Sequence, residues 1–202
     1  MMDFLPALLM FTVVAAFTPG PNNIMIMASG LNFGLRRSVP HLFGICLGFP
    51  LMVMALGFGA GALFAQFPNL HKIIKVLGIC YLVYLAWGIA TASPDASVKS
   101  RSQPLSFFQA VLFQWVNPKA WIMATSAIAT YTSVGENLTI QIITIVLVFF
   151  LMSWPSAGTW LLFGTVIQRI LKNPIHHRVF NVVMAILLLA SMYGVVVELI
   201  SR

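Results

Sequence analysis

Two short polar segments inside otherwise apolar runs carry the residue types best suited to bind a small solute. The first lies near the middle of the first apolar run and comprises six consecutive residues: Thr18, Pro19, Gly20, Pro21, Asn22 and Asn23. Its prolines each remove a backbone donor and clash with the preceding turn, so a straight helix cannot pass through. A packing kink is one interpretation. We predict a binding site, because two amide side chains at this depth need polar partners.

The helix that restarts after this break predicts the chemistry of the site. Pro21 suits the first position of a helix. The backbone N–H groups of Asn22, Asn23 and Ile24 would then point into the break with the positive end of the helix dipole. An anionic group, such as an amino-acid carboxylate, fits that position.

The second segment comprises Asn117, Pro118 and Lys119, within a later apolar run. Lys119 is ionisable and lies well inside a predicted span, and such residues are functional candidates by default. In the alternative interpretation, its four-carbon stem carries the ammonium to the membrane surface. Asn117 and the carbonyls freed by Pro118 predict a place for a substrate ammonium or hydroxyl.

Two serines flank a further proline in a third run, Ser153 and Ser156 around Pro155. Their hydroxyls either line the same cavity or bond to their own helix. His41 is interpreted as an interfacial histidine, and Cys46 and Cys80 as small core residues. Because no His, Asp, Glu or Cys cluster is evident, we predict no metal site, no cofactor and no enzyme activity.

The elements that position these residues are long apolar segments. Hydrophobic residues make up 60% of the chain and charged residues only 7%, against about a quarter charged in soluble domains. A helix needs about 20 apolar residues to cross a bilayer core, and continuous rather than alternating runs exclude a barrel. We therefore predict an all-α integral membrane protein, with six transmembrane helices near 4–32, 39–65, 70–92, 106–130, 138–165 and 178–200.

The polar segment 93–105 divides this single predicted transmembrane domain, residues 1–202, into halves 1–92 and 106–202. Lys and Arg concentrate on one side of the spans, which predicts that this side is cytoplasmic and that both termini are periplasmic. Three spans per half then make the halves antiparallel, as two inverted three-helix repeats whose helices 1 and 4 are broken by proline. The net charge of +7 is scattered over helix connections, so we predict no nucleic-acid binding.

These motifs resemble the LysE/RhtB family of bacterial amino-acid exporters over essentially the whole chain. The resemblance rests on Thr-Pro-Gly-Pro-Asn-Asn at 18–23, Asn32-Phe33-Gly34-Leu35-Arg36, Gly78 with Tyr81-Leu82 and Trp87, and Asn117-Pro118-Lys119. It implies export of amino acids or close derivatives across the bacterial inner membrane, driven by proton antiport. The branch that exports cysteine and O-acetylserine looks nearest, on Asn23, Trp160, Gly164, Gln168 and Arg169.

One departure from the family concerns acidic residues. Some members carry a carboxylate inside helix five, where this chain has 153–158, Ser-Trp-Pro-Ser-Ala-Gly. The acidic residues here lie near span ends or in connections: Asp3, Asp95, Glu136 and Glu198. A strongly basic cargo such as lysine would want a counter-charge. We therefore expect neutral cargo, resembling cysteine and O-acetylserine or homoserine and threonine.

Two other functions are compatible with so apolar a chain. A non-transporting membrane scaffold or assembly protein would use glycine-rich helix faces, but would not need a polar, broken helix. A passive small-solute channel would differ from an antiporter in flux measured with and without a proton gradient. Besides the lipid bilayer and the amino-acid substrate, the small size is compatible with a homodimer.

Overall fold

The computed structural model describes residues 4–60, 66–92, 103–133, 137–171 and 173–200. The secondary structure within these ranges is helical, which confirms the predicted all-α class. The helices are α1 Leu5–Phe17, α2 Pro21–Ala55, α3 Pro68–Ala90, α4 Phe107–Val116, α5 Pro118–Tyr131, α6 Leu138–Ile170, α7 Pro174–Ala190 and α8 Tyr193–Ile200. A π-helical segment, Leu56–Ala60, follows α2.

Prolines mark where several helices begin. Pro21, Pro118 and Pro174 each open a helix, at a position whose N–H would lack a helical partner in any case. The residues before two of them cap the helix: Asn117 Oδ1 accepts from the Lys119 N–H and Asn173 Oδ1 from the Ile175 N–H. The positions where these helices begin are therefore determined by the proline and the residue before it.

A single glycine replaces the connection that the sequence predicts between the first two spans. The predicted spans end near residue 32 and resume near residue 39, whereas the structure keeps a nearly continuous helix from Pro21 to Ala55. Gly34 interrupts it with φ +75° and ψ 173°. This left-handed region suits glycine, so one residue redirects the helix without a loop.

Three helical stretches are long and apolar enough to cross a membrane: Pro21–Gly59, Ile73–Ala90 and Leu138–Ile170. Helices α1, α4 and α7 are apolar but shorter. Each is followed by another helix after a short interruption, at residues 18–20, 117 and 191–192. The count of six spans therefore depends on reading each interrupted pair as one span, and it stays a prediction.

Helix α2 packs very closely against α6. A Cβ on Gly30 would lie 2.5 Å from the Leu161 carbonyl oxygen, and one on Gly164 would collide with the Met27 carbonyl. Small residues at both positions let the two backbones meet, as is common in membrane helix pairs. The second half of α2 approaches α4 in a similar way, since a Cβ on Gly44 would lie 2.5 Å from the Ala110 Cβ. Helix α2 therefore holds both broken segments together.

Candidate substrate-binding site

The break between α1 and α2 exposes backbone groups that helices normally pair. Helix α1 ends at Phe17 and α2 begins at Pro21. Thr18 (ψ 134°) and Gly20 (φ −173°, ψ 178°) have extended backbones. The last carbonyls of α1 and the first N–H groups of α2 consequently have no partner within their own helix.

Side chains from three other positions occupy the carbonyls at the end of α1. Asn23 Nδ2 donates to the carbonyls of Ala16 and Thr18, each at 2.9 Å. Ser156 Oγ, from α6, donates to the Ala16 carbonyl at 2.8 Å. The Lys119 ammonium, from α5, donates to the Thr18 carbonyl. A cation there lies at the negative end of the α1 dipole, where it is favourable.

Lys119 lies beside the residues of the first break. Its side chain crosses above Gly20, where an added Cβ would lie 2.5 Å from Lys119 Cδ. The ammonium lies at the first break, where it donates to the Thr18 carbonyl. Gly20 leaves the space that the lysine stem occupies.

Asn22 is held by a residue that the sequence interpretation missed. Asn22 Nδ2 donates to Gln114 Oε1 at 2.8 Å, and Gln114 Nε2 donates back to Asn22 Oδ1 at 3.2 Å. Gln114 is fully buried and also donates to the Ala110 carbonyl at 2.8 Å. A glutamine inside the apolar helix α4, three residues before Asn117, was the signal that could have identified it.

The N–H groups of the restarted helix are fewer than the sequence predicted. The Ile24 N–H donates to the Gly20 carbonyl at 2.9 Å and is thus already used. The predicted anion site therefore depends on the N–H groups of Asn22 and Asn23. Including Ile24 was wrong because the Gly20 carbonyl accepts the first helical bond of α2.

The second break has a more local structure. Asn117 is 2% exposed, and its Oδ1 caps α5 by accepting from the Lys119 N–H at 3.1 Å. Its own carbonyl accepts from the Trp121 N–H at 3.3 Å. The Asn117 side chain thus orients the residue that reaches across to the first break.

Ser153 and Ser156 differ in where their hydroxyls donate: Ser156 to another helix and Ser153 to its own. Ser156 reaches across to the Ala16 carbonyl, as described above, whereas Ser153 Oγ donates to Phe149 in its own helix at 2.7 Å. Both line the cavity at the break. Ser156 therefore links α6 to the end of α1, whereas Ser153 only lines the cavity.

These groups surround a cavity of about 50 Å³ between α1, α2, α5 and α6. We call it the break cavity. Seven predicted residues line it: Gly20, Asn22, Asn23, Asn117, Lys119, Ser153 and Ser156. Four are absent from its lining: Thr18, Pro19, Pro21 and Pro118. Phe49 and Phe149 add apolar wall.

The break cavity is small and positively charged. Its volume of about 50 Å³ is far below the about 300–1,000 Å³ of small-molecule sites, so an amino acid enters only if some of these contacts open. Lys119 is the one lining residue with a formal charge among the described residues. An ammonium beside amide donors, with no lining carboxylate, is chemistry that suits the carboxylate of a neutral zwitterion.

Comparison with known proteins gives a consistent result over nearly the whole chain. The family model described as LysE type translocator matches residues 13–201. A cysteine/O-acetylserine efflux protein of Salmonella typhi is 32% identical over 179 residues, which cover 88% of this chain and 90% of that protein. A protein of the same description from Escherichia coli strain K12 is 31% identical over 179 residues, with the same coverage. No solved structure matches the chain.

Proposed function

Because the chain belongs to the LysE-type translocator family, we propose that it is a secondary transporter that exports neutral amino acids or their derivatives from the cytoplasm. The observation that carries this proposal is the break cavity, where Lys119 and amide groups from two interrupted helices meet inside an apolar bundle. Burying polar groups costs free energy, and a membrane scaffold that binds no solute would not need them at this position.

The cargo carboxylate would bind the Lys119 ammonium and the N–H groups of Asn22 and Asn23. To reach it, the cargo must displace the Thr18 carbonyl from the lysine. The Thr18 and Ala16 carbonyls would then accept from the cargo ammonium, together with Asn117 on the opposite wall. One displacement would thus release both a cation for the carboxylate and an acceptor for the ammonium.

Cysteine and O-acetylserine are the first cargo candidates. The relatives described as exporting them align with about nine-tenths of the chain. The described lining of the break cavity also lacks a carboxylate to balance a second positive charge, so a neutral side chain is expected and lysine is disfavoured.

The proposed membrane arrangement is six spans in the bacterial inner membrane, with both termini periplasmic. It is supported by the meeting of the two breaks: Lys119, after the second break, bonds to Thr18, and Gln114, before it, bonds to Asn22. Inverted repeats place interrupted helices from both halves around one central site. A reporter active only in the periplasm, fused after Arg202, should be active; a cytoplasmic signal there would contradict this topology.

Efflux from loaded proteoliposomes tests the function. Vesicles loaded with O-acetylserine, cysteine or homoserine should release them faster when a pH gradient is imposed, and lysine-loaded vesicles should not. Equal release with and without the gradient would indicate a passive channel instead of proton antiport. Retention of every neutral amino acid would overturn the proposal.

A further inference from the structure

A second and much larger cavity lies along α2. It measures about 580 Å³ and is lined by α2, α3 and the chain leading into α4. We call it the α2–α3 cavity. Polar and aromatic side chains contribute to its wall: Ser29, Asn32, His41, Tyr81, Trp87 and Gln109. Its volume falls in the range of small-molecule sites, about 300–1,000 Å³, whereas the break cavity holds about 50 Å³.

One buried side chain in this wall lacks a partner. His41 is 1% exposed, and its Nδ1 lies 2.8 Å from Ser29 Oγ. Its Nε2 has no hydrogen-bond partner among the described residues. Buried polar atoms are almost always paired in folded proteins, so an unpaired ring nitrogen beside a cavity points to a ligand.

Asn32 also lines this cavity, but its side-chain amide is fully paired, unlike the ring of His41. Asn32 exchanges hydrogen bonds with Asn181 of α7 at 3.0 and 2.8 Å. It also donates to the Ala28 carbonyl at 2.8 Å. Its amide is thus satisfied by protein groups. Trp160 Nε1 is also buried without a partner among the described residues, but Trp160 does not line this cavity.

Helix α2 contributes to the walls of both cavities. Asn22 lines the break cavity and Ser29 lines the α2–α3 cavity. Seven residues are nearly two helical turns, so both side chains lie on one face, about 10 Å apart along the axis. Ile26 lies between them on this face and is fully buried, so the two cavities are separate in this structure.

We propose that the α2–α3 cavity is a separate binding site for the same zwitterionic cargo. His41 and Ser29 bind its polar head group, and the faces of Tyr81 and Trp87 contact its ammonium. The described lining contains no Asp, Glu, Lys or Arg, which suits a solute of zero net charge. This inference rests on the proposed function for the identity of the cargo.

Protection of an introduced thiol tests binding without requiring transport. In a chain with Cys46 and Cys80 replaced by alanine, Thr91→Cys places a thiol at an exposed position of the cavity wall. Saturating O-acetylserine or homoserine should slow its reaction with a charged methanethiosulfonate at least fivefold in detergent. The matched control is His176→Cys, at an exposed position outside both cavities, and its reaction rate should not change.

A second substitution tests the role assigned to the histidine. His41→Asn keeps an amide near the Nδ1 position, so the contact with Ser29 survives, but removes Nε2. The amino-acid concentration that half-protects the Thr91→Cys thiol should rise about tenfold, whereas His176→Asn should leave it unchanged. If Thr91→Cys is not monodisperse in detergent, Gln109→Cys supplies a thiol from another wall.

Wild-type efflux measured alongside separates the two proposals. Efflux of neutral amino acids without any thiol protection would overturn the second site and leave the transporter standing. Protection without efflux would support the second site and contradict the transporter. Protection that is unchanged in His41→Asn would overturn the role given to His41 and Ser29.

Discussion

The two helix breaks of this protein differ in where their exposed backbone groups find partners. At the first break, Thr18 and Gly20 have extended backbones. The carbonyls freed there accept hydrogen bonds from the side chains of Asn23, Ser156 and Lys119. At the second, Asn117 alone separates α4 from α5 and caps the new helix itself. The first break depends on side chains from α5 and α6 as well as its own Asn23, while the second is completed locally.

This difference suggests separate roles for the two breaks. Groups that are satisfied by long-range contacts can exchange those contacts for a cargo, whereas a local cap keeps its geometry when cargo arrives. The first break would therefore exchange its contacts for the cargo, and the second would hold Lys119 and Asn117 in fixed positions beside it. Substitutions on either side test this division.

The largest effect is expected from Lys119→Met. It removes the ammonium that pairs with the Thr18 carbonyl and, in our proposal, with the cargo carboxylate. A hydrogen bond to a charged group contributes about 1.5–3 kcal/mol, so O-acetylserine efflux should fall about 10- to 100-fold. Arg178→Met, at an exposed position of α7, is the matched loss of charge and should export normally. Full efflux by Lys119→Met at normal membrane levels would remove this residue from the site.

The next effect is expected at the amide pair between the breaks. Asn22→Ala should lower efflux at normal membrane levels by less than Lys119→Met does, because alanine keeps the backbone N–H proposed to bind the carboxylate but loses the pair with Gln114. It also leaves the Gln114 amide without its partner in a buried position, which costs about 1–3 kcal/mol. The unfolding temperature in detergent should fall for Asn22→Ala and Gln114→Ala, and the double variant should lose less than the sum. Additive losses would mean that the two amides do not interact.

A matched pair of caps tests the second break. Asn117→Ala and Asn173→Ala each remove an asparagine that caps a helix beginning with proline, and each should cost about 1 kcal/mol of stability. Asn117→Ala should also lower efflux, by less than Asn22→Ala does, since the cap positions Lys119 and the side chain lines the break cavity. Equal efflux by the two variants would show that Asn117 has only a structural role.

The smallest effect is expected at the two serines. Ser156→Ala removes a hydrogen bond across helices to the Ala16 carbonyl, which is worth about 0.5–1.5 kcal/mol, and should reduce efflux by a few fold. Ser153→Ala removes only a bond within α6 and should behave like wild type. The reverse order would contradict the assignment of Ser156 to the first break.

Both breaks could be predicted from local chemistry, because proline removes a donor wherever it stands. Pro21 and Pro118 interrupt the helices at the expected residues. The partner of Asn22 could not be predicted in the same way, since Gln114 is 92 residues away in the chain. The continuous path of α2 through Gly34 was missed as well, because a positive φ at one glycine leaves no compositional signal.

The amino-acid sequence by itself determined the helical class, the apolar environment and the two places where the helices break. These follow from backbone donors, proline geometry and the cost of burying polar groups, which act within a few residues. Only the tertiary structure decided that the two breaks meet, that Lys119 points into the first, and that His41 lines a large cavity with an unpaired nitrogen. Those outcomes depend on which helices approach closely, through pairs such as Gly30 and Gly164, and such pairing is set by packing between distant segments.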